Sequence, residues 1–314
     1  MKISNSVHNR ADVFLPAIFC CILWGSITPV LKLSYSLFHL STGDIPALTV
    51  FAGVRYILCG LIGIGFGTVK NKSLPRPKAS SWGMILKLAL VQTFLQQLAF
   101  YVSMAHISGI NGSILGCLNN FFSIFIASLV FHQEHLTFRK LLGCGLGFLG
   151  VITINLNKGS LSSQITWAGE GAMLAACIFC GASYAMIKEY TSREDSLVLT
   201  AYQFLLGGGM LALTGLLLGG TMPVSDLNGY LLFGYMAVMP ITAFTIWGIL
   251  LKSCSVSRLS VFGFINPITG VILSALLLNE AGSISLIQCL AALTLVSLGI
   301  YTVNFEQRWK ADFD

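Results

Sequence analysis

Ten apolar runs of about twenty residues, each bounded by polar or turn residues, follow one another through the chain. About 20 mostly apolar residues are needed for an α-helix to cross the hydrocarbon core of a bilayer. Only 10% of the residues are charged, whereas soluble domains carry about 25%. The sequence therefore predicts an all-α integral membrane protein with ten transmembrane helices. The runs lie near Val13–Phe38, Pro46–Val69, Trp82–Ala105, Ser108–Phe131, Phe138–Leu156, Trp167–Ile187, Leu197–Gly219, Gly229–Leu251, Arg258–Leu278 and Ile284–Asn304.

Positive charges in the connecting segments predict the orientation of these helices, because cytoplasmic loops are enriched in Lys and Arg. With the N-terminus in the cytoplasm, fourteen of the 18 Lys and Arg lie on the cytoplasmic side and only Lys158 lies in an outer loop. We therefore expect both termini in the cytoplasm and a multi-pass protein of the plasma membrane, which is the inner membrane in a bacterium. The net charge of +6 reflects this orientation, and no nucleic-acid partner is expected.

Two spacings occur once in each half of the chain. One is a Gly followed seven residues later by Lys, and the other is an Asn followed fourteen residues later by Glu across an apolar run. They are Gly25–Lys32 and Gly181–Lys188, and Asn120–Glu134 and Asn266–Glu280. The sequence therefore predicts two similar halves, 1–156 and 157–314. Because each half has an odd number of spans, the second half is inverted relative to the first.

Inverted repeats recur in secondary transporters, where the substrate site lies near the bilayer midplane at the interface of the repeats. Rocking of one half against the other would then expose the site to each side in turn. The architecture predicts transport by alternating access, with a small-molecule substrate and the lipid bilayer as partners.

Several motifs resemble the drug/metabolite transporter superfamily, specifically its EamA-type branch of two five-helix repeats. They are Trp24, Gly25 and Lys32 in the first span, Arg55 in the second, Glu134 followed by Gly143 and Gly150, and Asn266-Pro267 running into Glu280. The resemblance covers nearly the whole chain. It implies a transporter, with export more strongly indicated than import, and it does not specify the substrate.

Three features depart from the family pattern. Phe121 stands where the fourth span usually has Pro, and Cys180 stands where the sixth usually has Trp. No Asp or Glu lies within Val13–Phe38, so the proton-binding Glu of the small four-helix relatives has no counterpart there. Coupling to protons or to a counter-substrate therefore remains open.

Charges inside the spans are the first candidates for function, because a charge at the bilayer centre costs about 2.5–3.5 kcal/mol on insertion scales. Arg55 lies about 14 Å inside its span, so it must face a partner, backbone carbonyls or a wet cavity, and both substrate binding and helix packing are open. Lys32 is nearer the outer end, where it could bind substrate or snorkel. Glu170 lies at a similar depth, and a Lys32–Glu170 salt bridge that closes an outer gate is a hypothesis.

Polar and aromatic side chains in the middle of the spans complete the predicted substrate site. They are Trp24, Gln96, Gln97, Tyr101, Asn119, Asn120, Tyr184, Trp247 and Asn266. Amides between helices can also serve only as packing contacts, and the same holds for each aromatic residue. Asn120 and Asn266 are expected to approach each other across the centre. Pro29, Pro240 and Pro267 predict helix kinks.

The predicted function is a secondary-active exporter of a small metabolite, such as an amino acid or a similar polar or amphipathic compound. The alternatives are a multidrug or nucleobase/cofactor carrier, and a non-transporting membrane receptor or assembly subunit. An enzyme is not expected, because all five His residues lie at span ends or in loops, His106 among them near the outer interface. The Cys177–Cys180 pair has no second pair beside it, so neither a metal nor a cofactor is expected. Homodimer formation is left open.

Overall fold

The computed structural model describes residues 11–41, 43–106, 115–155, 166–277 and 286–311, and no β-strand occurs among them. Each helix coincides with one of the predicted apolar runs. The helices are α1 (Ala11–Leu37), α2 (Ile45–Asn71), α3 (79–106), α4 (Leu118–Val130), α5 (Phe138–Asn155), α6 (Trp167–Tyr190), α7 (Ser196–Leu217), α8 (Leu227–Ser253), α9 (256–277) and α10 (Leu286–Ala311).

Six helices of the described part, α1–α3 and α6–α8, are long and apolar enough to cross a membrane. Leu118–Val130 and Leu290–Val303 are shorter apolar helices. Large apolar side chains such as Leu15, Phe66 and Leu213 are exposed, as expected for a surface that faces lipid. The predicted all-helical membrane fold is confirmed at this level, and the count of ten spans stays a prediction.

Short polar residues begin several helices by accepting hydrogen bonds from otherwise unpaired N–H groups of the first turn. Asp44 accepts from Ala47 N at 3.0 Å, and Asp226 accepts from Gly229 N at 2.9 Å. Asp195 accepts from two N–H groups at the start of α7. These aspartates define where α2, α7 and α8 start.

The two sets of helices, α1–α5 and α6–α10, pack into each other with a reciprocal pattern. α1 packs against α8 and α9, and α6 packs against α3 and α4. The Gly of the repeated Gly–Lys spacing allows both approaches. A Cβ on Gly25 would lie 2.6 Å from the Asn266 carbonyl oxygen, and one on Gly181 would lie 2.7 Å from the Phe122 carbonyl carbon. Any larger residue at either position would separate these helices.

Two further pairs, α2–α7 and α5–α10, also join the first set to the second through close backbone contact. A Cβ on Gly53 would lie 2.3 Å from Ala212 N, and one on Gly143 would lie 2.8 Å from the Gly299 carbonyl oxygen. Small residues at helix interfaces in membranes allow this packing. We call these two contacts the glycine seams.

Three helices contain π-helical segments that the apolar pattern does not predict. They are Ala89–Leu95 in α3, Ile126–Val130 in α4 and Trp167–Gly171 in α6. The α3 segment directly precedes Gln96 and Gln97, and it therefore sets the rotation of the polar part of that helix.

The prolines predicted to kink spans occupy two kinds of position. Pro29 lies inside α1 and Pro240 lies inside α8. Pro267 lies in the first turn of the α-helical part of α9 (Ile265–Leu277), directly after the 3-10 segment Val261–Phe264. A role for these prolines as hinges stays a prediction.

Candidate functional site

A cavity of about 500 Å³ lies between helices of both sets, within the range typical of small-molecule sites. It is lined by α1, α2, α3 and α4 on one side and by α6, α8 and α9 on the other. The lining residues are Trp24, Ile27, Leu31, Tyr35, Arg55, Tyr56, Gln96, Gln97, Phe100, Tyr101, Met104, His106, Asn119, Cys180, Tyr184, Met239, Pro240, Phe244 and Asn266.

Most of the residues predicted to bind substrate line this cavity. They are Trp24, Arg55, Gln96, Gln97, Tyr101, Asn119, Tyr184 and Asn266. Two others do not line it: Asn120 is buried against Gly263 in α9, and Trp247 is buried behind Trp24. Lys32 belongs to α1, but its side chain lies outside the described part of the structure, as does Glu280.

Aromatic side chains from α1, α6 and α8 form one wall of the cavity. The Trp24 and Tyr184 rings are stacked with centroids 6.4 Å apart, and Phe244 meets Trp24 edge-on at 5.1 Å. Trp247 contacts Trp24 from behind at 4.9 Å. Trp247 therefore supports the wall and does not form its surface.

Arg55 lies on the polar side of the cavity and is 3% exposed. Its guanidinium carbon lies 4.7 Å from the centroid of the Tyr56 ring, and its Nε is buried without a hydrogen-bond partner. No ion pair to Arg55 is formed by the described residues, and none of the residues that line the cavity is acidic. Within the described part of the chain, the positive charge in the cavity is therefore uncompensated.

The amides that line the cavity leave several acceptors free. Gln96 Oε1, Asn119 Oδ1 and Asn266 Oδ1 are buried without a partner. Asn119 Nδ2 makes one weak contact, 3.8 Å from Cys180 Sγ. Unpaired buried polar atoms cost about 1–3 kcal/mol each, so these amides favour a polar ligand beside them.

Sequence reasoning did not select Tyr35, Phe100, Met104, Phe244 or Cys180 for the site. In α1, Ile27, Leu31 and Tyr35 follow Trp24 on the same face of the helix. In α3, Phe100 and Met104 lie on the same face as Gln97. This three- and four-residue spacing could have found them. Cys180 could have been found from its place in the motif, where the family has a Trp.

The cavity extends to the protein surface at His106, at the end of α3. His106, predicted near the outer interface, is exposed at this end and lines the cavity, with its Nδ1 2.8 Å from the Val102 carbonyl oxygen. We call this the His106 end. A polar cluster around Glu134 lies at the opposite end of these helices. None of its residues lines the cavity.

Glu134 forms the centre of this cluster, which joins the α4–α5 connection to α9. Its Oε1 accepts from Ser257 N at 2.9 Å, and its Oε2 accepts from Lys140 Nζ at 2.8 Å and from the Ser257 hydroxyl. We call Glu134, Lys140 and Ser257 the Glu134 network. Nearby, Lys188 at the end of α6 donates to the carbonyl oxygens of Leu251 and Cys254. Of these contacts, those between Glu134 and Ser257 join the two sets of helices, at what we call the Glu134 end.

Glu170, the proposed partner of Lys32, binds its own helix terminus. Its Oε2 accepts from Thr166 N at 2.9 Å and from Thr166 Oγ1 at 3.2 Å, while Thr166 Oγ1 accepts from Gly169 N. This reciprocal arrangement caps α6. A Lys32–Glu170 gate stays a prediction.

Glu194 joins two connections at the Glu134 end. Its Oε2 accepts from Lys78 N at 3.0 Å, and Lys78 Nζ donates to the Arg193 carbonyl oxygen at 2.6 Å. Burial alone would raise the pKa of the Glu194 carboxyl. The nearby Ser81 hydroxyl, the hydrogen bonds from the Lys78 and Asp195 main-chain N–H groups and the Lys78 charge instead hold this pKa below its ordinary value.

We expect Glu194→Gln to flatten the pH dependence of thermal stability in the acid range. Because its pKa is lowered by folding, Glu194 stabilises the native state fully above about pH 5, and this contribution is lost as the pH falls through the folded-state pKa. The melting temperature of the wild type should fall more steeply between about pH 6 and about pH 4 than that of the variant. Glu189→Gln, at an exposed carboxylate, is the control; equal slopes for wild type and Glu194→Gln would contradict the assignment.

The comparison with known proteins decides the family. The model of the EamA-like transporter family matches residues 13–156 and again residues 167–305. The chain belongs to the EamA-like transporter family. This confirms the resemblance to EamA-type members of the drug/metabolite transporter superfamily, and with it a transmembrane transport protein.

Individual relatives agree with this assignment. An Escherichia coli (strain K12) protein named "Probable amino-acid metabolite efflux pump" is 25% identical over 316 residues, which cover 96% of this transporter and 97% of that protein. A solved structure described as "Crystal structure of protein" is 16% identical and has a TM-score of 0.75 over 94% of this transporter and 99% of its own chain. The second likeness supports the fold alone.

Proposed function

We propose that this transporter is a secondary-active exporter that moves a small metabolite, an amino acid or a similar polar or amphipathic compound, across the plasma membrane by alternating access. In this proposal ten spans form two inverted five-helix repeats, 1–156 and 157–314, with both termini in the cytoplasm. No enzymatic activity is part of the proposal.

One observation carries it: the cavity is lined by both sets of helices and extends to the surface at the His106 end, whereas no residue of the Glu134 network lines it. A site that both repeats share can be exposed to either side by a change in their packing. In the predicted orientation the His106 end is the outer end, so the structure has the geometry expected of an outward-facing state.

The substrate class is supported by the content of the cavity and by the name of the Escherichia coli relative. The aromatic wall offers apolar contact, whereas Arg55 and the amides offer polar contact. This combination suits a molecule with one polar end and one apolar end. Export as the direction of transport is supported by the same relative.

We expect Trp24→Ala to slow efflux of one compound class about tenfold. Stacking of the substrate on the Trp24 ring would contribute about 1.4 kcal/mol to the free energy of binding, and its loss changes the binding constant by that factor. Cells loaded with labelled amino acids, nucleobases and cationic dyes would be followed with wild type, variant and empty vector. Trp82→Ala, at an exposed tryptophan outside the cavity, is the matched control. Efflux no faster than with empty vector for all three classes would overturn the proposed export.

A further inference from the structure

Arg55 is a buried charge that the described protein does not neutralise. A guanidinium stays protonated in proteins and offers five N–H donors. The titratable side chains that interact with it electrostatically are Tyr35, Tyr56, Cys59 and Tyr101, none of which is a carboxylic acid. Burying an unpaired charge costs several kcal/mol. The site therefore favours any anion that can reach it.

Arg55 lines the cavity that extends to the surface at the His106 end, so a ligand in this cavity would lie beside the arginine. Arg55, Tyr35 and His106 line the same cavity, and His106 is exposed. A purely structural arginine inside a membrane would pair with an acid or donate to backbone carbonyl oxygens, and no such bond from Arg55 is formed by the described residues. Arg55 instead combines a cavity surface with an Nε that has no partner.

The charge of the cavity argues for a singly charged anion. Among the described lining residues, Arg55 is the one side chain with a permanent charge. One guanidinium balances one carboxylate and binds its two oxygens in a bidentate geometry. A phosphate dianion would keep an uncompensated negative charge inside the membrane.

The free amide oxygens supply a second point of recognition. Gln96 Oε1, Asn119 Oδ1 and Asn266 Oδ1 can accept from N–H donors of a ligand. An ammonium group offers three such donors. The aromatic wall of Trp24 and Tyr184 is left for an apolar side chain.

We propose that the Arg55 guanidinium binds the carboxylate of a monocarboxylic metabolite, α-amino acids included, so that the cavity rejects amines and amides of the same shape. This inference rests on the proposed function in treating the cavity as the substrate site. To the proposed function it adds the charge of the substrate and the residue that recognises this charge. Arg55 is thereby assigned to specificity and not to helix packing.

The test measures binding to purified full-length protein in lipid nanodiscs, by calorimetry at neutral pH. The probes share one phenyl group: phenylalanine, 3-phenylpropionate and phenylalaninamide, with inorganic phosphate as a different oxyanion. Wild type should bind phenylalanine and phenylpropionate at least about tenfold more tightly than phenylalaninamide, since one charge-assisted pair is worth about 1.5–3 kcal/mol. Phosphate should not compete.

Arg55→Gln should remove the preference, lowering the affinity for both acids about tenfold or more and leaving that for phenylalaninamide unchanged. Arg55→Lys should restore part of it. Lys87→Gln, which removes a charge from an exposed lysine of α3, should behave as wild type. If Arg55→Gln cannot be purified, the wild-type ratio of acid to amide decides alone.

Three results with the wild type would overturn the inference: no acid binds, the amide binds as tightly as the acids, or phosphate displaces them. An equal loss for all probes in Arg55→Gln would also overturn it, because it would indicate a structural role. Selective binding of acids without any flux would overturn the proposed transport and leave this inference standing. Flux without acid selectivity would overturn this inference and leave the proposed transport standing.

Discussion

Gly53→Ala is expected to destabilise the protein strongly although it adds only one methyl group. The new Cβ would lie 2.3 Å from Ala212 N and 2.6 Å from Ala212 Cα. Both atoms belong to the backbone of α7, so no side-chain rotation can relieve the clash, and α2 and α7 must separate. Overpacking of this kind costs about 1–3 kcal/mol or more. The membrane yield and the melting temperature of the purified protein measure the effect.

Gly65→Ala in the same helix is the matched control. A Cβ at Gly65 would meet nothing within 4 Å. Because alanine favours helix over glycine by up to about 1 kcal/mol, this variant should be as stable as wild type or slightly more stable. Equal losses at the two positions would show that glycine matters in α2 for a reason other than contact with α7.

Glu134→Gln is expected to open the Glu134 end. The change removes the ion pair with Lys140 of α5 and weakens the bonds from Ser257, which join the α4–α5 connection to α9. Breaking a buried ion pair by removing one partner costs about 3–5 kcal/mol. Cys254, which is 4% exposed at this end, can report the opening. In a chain that retains only this cysteine, its rate of maleimide labelling should rise at least about tenfold.

Two controls separate opening from unfolding. Glu189→Gln breaks the exposed Arg193–Glu189 pair, which is worth at most about 1 kcal/mol, and should leave the labelling of Cys254 unchanged. In a second chain that retains only the buried Cys59 of α2, Glu134→Gln should not increase labelling. Unchanged labelling of Cys254 in Glu134→Gln would refute the role of the Glu134 network in closure.

The positions of the helices followed closely from the sequence for a simple reason. Lipid offers no hydrogen-bond partner to the backbone, so each long apolar run must satisfy its own N–H and C=O groups as a helix. The predicted Val13–Phe38 and the observed Ala11–Leu37 differ by only two residues at one end and one at the other. Polar residues in such runs were expected to face the interior, and Arg55 and Gln96 do line the cavity.

The rotation of each helix did not follow as well. Neighbouring residues on a helix point about 100° apart, and composition does not distinguish Asn119 from Asn120. Asn119 lines the cavity, whereas Asn120 packs on Gly263. The π segment Ala89–Leu95 changes the direction in which all later side chains of α3 point. The spacing of apolar residues does not predict this segment. The sequence analysis placed Trp247 in the lining of the cavity, whereas its ring packs behind that of Trp24.

The glycine seams have a consequence for how such a molecule can be divided into moving parts. α2 and α7 come from different repeats, yet their backbones touch, and α3 is bound to α7 by a buried chain of side chains. Thr93 Oγ1 donates to Gln203 Oε1 at 2.6 Å, and Gln203 Nε2 donates to Gln92 Oε1 at 3.0 Å. Rocking the first 156 residues as one body against the remainder would break this block. If the proposed alternating access proceeds by movement of rigid groups of helices, the boundary between those groups therefore cannot follow the boundary between the two repeats, because α2, α3 and α7 would have to move together.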